Sequence, residues 1–125
     1  MAKVLLDSDV LLEWLRGRQP IVQQILALIE QQQELFWTPV SVAEIVSAVR
    51  EGEESTVANL FLLLEPVAIT THVGERAGYY LNCFGKSHGL QSGDALIAAC
   101  ASTEGLSLWT LNKKHYPMKD LQFLY

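Results

Sequence analysis

Cysteine is scarce. Cys83 and Cys100 are the two in 125 residues, spaced too widely for a zinc knuckle and too few for a disulfide-built secreted scaffold, so both read as buried free thiols in a reducing compartment. Proline and glycine are sparse too, at four and eight residues against a 50% hydrophobic content, which excludes collagen-like, low-complexity and disordered chains. Long apolar runs are missing. Stretches such as Leu60–Leu64 and Ala95–Ala101 fall far short of the ~20 residues of a spanning helix. Asp7 interrupts the N-terminus after three apolar residues, so neither a membrane segment nor a secretory leader is expected, and the expected location is cytoplasmic. Positive charge is short as well: nine Lys and Arg against 14 Asp and Glu leave a net charge of −5. Such a balance excludes holding nucleic acid by bulk electrostatics, so that any chemistry on it would need a metal or a small basic patch. Phosphate-cradling glycine motifs are absent, and neither Ser41 nor Ser92 sits in a nucleophile elbow. His72, His88 and His115 show no pair at one-turn spacing, which argues against zinc.

What remains is an alternation of short apolar runs and helical segments. Val4–Leu6 is unbroken and reads as a strand buried on both faces. Helical spacing follows from Val10 to Leu15, closed by Gly17, and again from Ile21 to Gln32 after Pro20. Leu35–Thr38 reads as a second strand stopped by Pro39; Ser41–Arg50 and Glu54–Leu64 read as helices broken by Gly52. Pro66–Thr70 is expected as a third strand, Val73–Phe84 as a helix, and Gly85–Gly89 as a loop. Ser92 is expected to cap a helix over 93–103 ended by Gly105, before a fourth strand at Leu106–Leu111 and a possible fifth at Leu121–Tyr125. No linker, repeat or charge block divides the chain, so residues 1–125 form one expected domain. The class is α/β, a three-layer α/β/α sandwich on a mainly parallel sheet of four or five strands.

In such sheets the working residues gather beyond the carboxyl ends of the strands. Asp7 and Asp9 follow strand one, Glu44 lies about a turn beyond strand two, and Asn112 follows strand four; Asp94 opens the helix before it. Asp7, Glu44 and Asp94 brought together would repel one another unless a cation intervened, and oxygen donors suit Mg²⁺ or Mn²⁺. The chemistry implied is metal-dependent phosphoryl cleavage. Each acid also has a structural reading. Asp7 or Asp9 suits an N-cap, Ser41 to Glu44 fits a capping box, and Asp94 would offset a helix dipole.

Four segments carry a family resemblance. V-L-L-D-S-D-V-L-L-E-W-L-R-G at the start, Thr38 to Glu44, Asp94 to Ala99 and Thr110 to Tyr116 together resemble PIN-domain ribonucleases, especially VapC-type toxins of toxin–antitoxin pairs. The resemblance covers nearly the whole chain. It implies Asp7, Glu44 and Asp94 as metal ligands and an Asn112 amide that orients a water or a carboxylate. It also implies an Mg²⁺- or Mn²⁺-dependent endoribonuclease acting on RNA, a homodimer, and a cognate antitoxin lying across the active-site groove. Tyr116, where relatives usually have Phe, is expected to be harmless packing, and Trp14 and Leu15 are expected to seat an antitoxin helix or to pack in the core. Lys113, Lys114 and Lys119 are candidates for phosphate contact or plain solvated surface.

Two rivals remain at this point. Val4 to Val10 also fits the first motif of a haloacid-dehalogenase-like phosphatase, with Asp7 as nucleophile, Asp9 as general acid, and Thr70 and Lys86 in its second and third roles. The other is a catalytically inactive module that keeps the fold and sequesters a partner.

Overall fold

Alternation along β1 (Lys3–Leu6) decides the layering. Leu5 enters one core while Val4 and Leu6 enter another, because successive strand side chains leave opposite faces. Three apolar residues in a row therefore require cover on both sides of the sheet. A computed structural model, describing residues 2–125, supplies it. After β1 come α1 (Ser8–Leu15), α2 (Ile21–Glu30), β2 (Glu34–Trp37), α3 (Pro39–Ala48), α4 (Glu54–Leu63) and β3 (Glu65–Pro66). The chain continues with α5 (Thr71–His88), α6 (Ser92–Glu104), β4 (Ser107–Trp109), a 3-10 turn at Lys113–His115 and β5 (Gln122–Phe123). Val10, Leu11, Ile25, Ile45 and Leu60 from α1 to α4 pack with Trp37 and Trp109 on one face. On the other face, Val73, Ala77, Tyr80 and Ile97 from α5 and α6 pack with Leu5 and Leu108. The expected three-layer α/β/α sandwich is what forms.

The sheet order is β3-β2-β1-β4-β5, and every pairing is parallel. From β1 the chain builds outward through β2 and β3, then returns to the other side of β1 for β4 and β5. The order thus reverses between β1 and β4, which opens a crevice beyond their carboxyl ends. The Asp7 amide donates to the Trp109 carbonyl at 2.9 Å, carrying the ladder one residue past β1 and fixing the backbone at that crevice. Arg16 closes α1 on the neighbouring helices, with Nη2 on the Ala48 carbonyl and Nε on Glu53 Oε2, both at 3.0 Å.

Several local expectations are corrected. Gly85 to His88 are not a loop: α5 runs through them and stops at Gly89, whose φ of 64° gives the left-handed turn. Leu81 and Phe84, packed on the core, hold the helix together past Gly85. Strand three is only Glu65–Pro66, since Thr70 turns away to cap α5, its hydroxyl accepting from the Val73 amide at 3.2 Å. Pro39 opens α3 as its first residue, a place where its missing N–H is no loss. The cap of α6 is Gln91, one residue before the expected Ser92. Strand four is limited to Ser107–Trp109. Cys83 is exposed, and only Cys100 is buried. Leu15 is core and Trp14 is half-buried against the same core. Among the described residues, no helix is long and apolar enough to cross a membrane.

Candidate active site

Asp7 stands at the crevice as the N-cap of α1, in extended conformation at the end of β1. Its capping role and its position at the site coincide. Oδ1 accepts from the Ser8 amide at 2.7 Å, while Oδ2 accepts from the Thr110 hydroxyl at 2.8 Å and the Tyr116 hydroxyl at 2.7 Å. The residue is 7% exposed, and these three donors offset the loss of water around its charge.

Asp9 lies in the first turn of α1 and does not cap it. Its Oδ1 accepts from the Val10 amide at 2.7 Å and its Oδ2 from the Leu111 amide at 3.0 Å, with Thr110 Oγ1 at 3.3 Å from the same oxygen. Burial first, and then the nearby charge of Asp7, push its carboxyl up to about 6 against the lowering pull of those bonds. Asp94, in the first turn of α6, is raised by the same two causes in the same order; His115 and the Tyr116 hydroxyl pull it back in part. The charge of Asp7 thus reaches both Asp9, two residues on, and Asp94, from a distant part of the chain.

Glu44 arrives differently. Thr38 caps α3, accepting from the Ser41 amide at 3.3 Å, so the expected capping box of Ser41 and Glu44 does not form. Ser41 is instead buried, with Oγ 2.8 Å from Ser8 Oγ, and the Ser8 hydroxyl also reaches Glu44 Oε1 at 3.0 Å. Glu44 is thus exposed at the rim and tied to the start of α1. A cleft of about 400 Å³ opens beside it, lined by Ser8, Asp9, Leu12, Glu44, Ile45, Ser47 and Ala48. Asn112 is exposed; its amide N–H donates to Thr110 Oγ1 at 3.1 Å and its side chain lies 3.1 Å from His115 Nε2. Those bonds keep it on the 3-10 turn, and none of them reaches the acids.

Among the described residues, no three His, Cys, Asp or Glu side chains form a ready-made metal cage. The donor set nonetheless fits a hard cation. The side chains on offer are carboxylate oxygens, and Mg²⁺ characteristically binds through one or two carboxylates while keeping several waters. Two contributors were undervalued in the sequence. Tyr116 is no mere packing residue, since its buried hydroxyl bonds Asp7. Thr110 joins Asp7 and Asp9 at once. The available signal was a hydroxyl at a position where apolar packing alone would accept Phe.

A family model for the PIN domain matches residues 4–121. The chain belongs to the PIN domain family. This PIN domain is 34% identical over 116 residues to Ribonuclease VapC10 of Mycobacterium tuberculosis, covering 92% of this chain and 86% of that one. It is 28% identical over 120 residues to Ribonuclease VapC19 of the same organism, covering 94% and 96%. Its fold resembles the DNA-bound VapBC structure from Salmonella typhimurium, with a TM-score of 0.80 at 16% identity over 99% of this chain and 98% of that chain. In this PIN domain the four motif segments meet at the β1/β4 crevice and its rim.

Proposed function

We propose that the protein is a VapC-type endoribonuclease, the toxin of a toxin–antitoxin pair, that hydrolyses RNA phosphodiester bonds with Mg²⁺ or Mn²⁺. The observation that carries this reading is the joint hydrogen bonding of Asp7 and Asp9 to Thr110 at the β1/β4 crevice, with Asp94 near enough to feel the Asp7 charge, in a chain whose relatives are named ribonucleases. Asp7 and Asp94 are the residues that would hold the ion, with Glu44 completing the acidic rim from α3. A divalent ion held by these residues would supply charge neutralisation for the phosphate and activation of a water. The protein's own part is to position. Ser8, Thr110 and Tyr116 orient Asp7, and Ser8 draws Glu44 to the same helix terminus. Lys114 and His115, exposed on the turn beside the crevice, are placed to meet the RNA backbone. Asp7, Glu44 and Asp94 would carry three of the five net negative charges, so the acidic balance opposes RNA binding only while metal is absent.

Solved neighbours of the same fold include VapBC complexes and a toxin–antitoxin complex from Klebsiella pneumoniae. By analogy the partner here is a cognate antitoxin lying over the groove, and the active form is a homodimer in the cytoplasm. The phosphatase alternative has less behind it, because Thr70 is committed to capping α5 and Lys86 lies in the last turn of that helix.

The deciding assay incubates the purified protein with RNA. Cleavage should appear with Mg²⁺ or Mn²⁺, vanish with EDTA, vanish in Asp7→Ala and Asp94→Ala, and persist in part in Asp9→Ala. Turnover of a small phosphate ester with RNA untouched, together with a dead Asp9→Ala, would favour the phosphatase. RNA left intact at every metal tested would favour a binding module.

A further inference from the structure

Oδ2 of Asp7 is already fully hydrogen-bonded. A carboxylate offers roughly four acceptor positions, and three are used here: the Ser8 amide takes one on Oδ1, and the Thr110 and Tyr116 hydroxyls take both on Oδ2. Two of those donors are fixed by the backbone that carries them. Ser8 is the next residue in the chain, and Thr110 directly follows β4, on the side where Asp9 also meets its hydroxyl. Tyr116 differs. It enters from beyond the 3-10 turn, its ring sits in the core below α6 at 3% exposure, and its hydroxyl lies where both Asp7 and Asp94 feel it. A neutral O–H donor thus serves the charge of Asp7, with the Asp94 carboxyl also within its influence.

We propose that the Tyr116 hydroxyl is a latch on Asp7, a positioning group that holds the second acceptor position of Oδ2 in the metal-free protein and yields it when a divalent cation binds that oxygen. The latch rests on the reading above that Asp7 and Asp94 hold the ion. Its consequence is a lowered metal affinity with a better-ordered empty site. A Phe at this position would fill the same core volume and leave one acceptor position of Oδ2 open.

The test compares wild type with Tyr116→Phe by Mn²⁺ titration, following free Mn²⁺ by its electron paramagnetic resonance signal, with Asp7→Asn as the control for site occupancy. Losing one competing hydrogen bond should make Tyr116→Phe bind Mn²⁺ about fivefold more tightly. Its melting temperature in EDTA should be lower than wild type, and the rise on adding Mg²⁺ larger. In wild type, Mg²⁺ should shift the near-ultraviolet tyrosine absorbance as the hydroxyl leaves a carboxylate; Tyr116→Phe should lose that shift. Equal or weaker Mn²⁺ binding by a folded Tyr116→Phe, or no tyrosine shift in wild type, overturns the latch while leaving the metal reading standing. A wild-type protein that binds no Mn²⁺, or binds it no better than Asp7→Asn, overturns both.

Discussion

The Thr110 hydroxyl donates to Asp7 Oδ2 at 2.8 Å, so the residue after β4 fixes the residue after β1 across the point where strand order reverses. Both residues are buried, and a charge-assisted bond in that setting is worth more than one at the surface. Thr110→Val keeps the shape and removes the donor. We expect a loss of about 1–2 kcal/mol, read as a lower urea midpoint in EDTA with an unchanged denaturant slope. A midpoint matching wild type would show that Ser8 and Tyr116 satisfy Asp7 without it.

Two glycines at the end of α5 should respond in opposite directions. Gly85 is helical with open space where a Cβ would go, whereas Gly89 sits at a φ of +64°. Gly85→Ala should stabilise by about 0.5–1 kcal/mol through helix propensity. Gly89→Ala should destabilise by about 1 kcal/mol, because a side chain is strained in the left-handed region. Thermal melts of the two variants decide it, and a neutral Gly85→Ala would restore the loop reading of 85–89.

The two thiols should separate by reactivity and by pH. Burial, and then the charge of Glu104, push Cys100 up to about 11, while Cys83 is exposed. A chromogenic disulfide reagent at pH 8 should modify one thiol per folded chain and the second only in denaturant. Folding favours the protonated Cys100 thiol, so its stabilising contribution is complete below the ordinary value of about 9 and is lost as pH rises through about 11. Cys100→Ala should flatten the alkaline fall in melting temperature. Rapid labelling of two thiols in the native protein would contradict the burial.

Much of the fold was legible because its signals are local. The unbroken run Val4–Leu6 required cover on two faces, and the alternation of strands and helices required parallel crossovers. Errors fell where a local rule met a tertiary constraint. Gly85 reads as a breaker, but Leu81 and Phe84 just before it anchor the helix on the core. Ser41 and Glu44 match a capping box by spacing, yet Thr38 takes the cap because the chain leaves β2 in extended form at that residue.

The sequence by itself determined the layer order, the placement of Asp7 at the end of β1, and the family to which the four segments point. Tertiary structure alone decided the wiring of the acids. The bonds from Thr110 and Tyr116 to Asp7 join residues 103 and 109 positions apart. Periodicity reports which face of an element a side chain occupies, and it carries no information on which distant element lies opposite. That is set by placing β4 beside β1, which brings Thr110, and Tyr116 beyond it, onto Asp7. It also makes Asp9 a member of the cluster and leaves Asn112 at its edge.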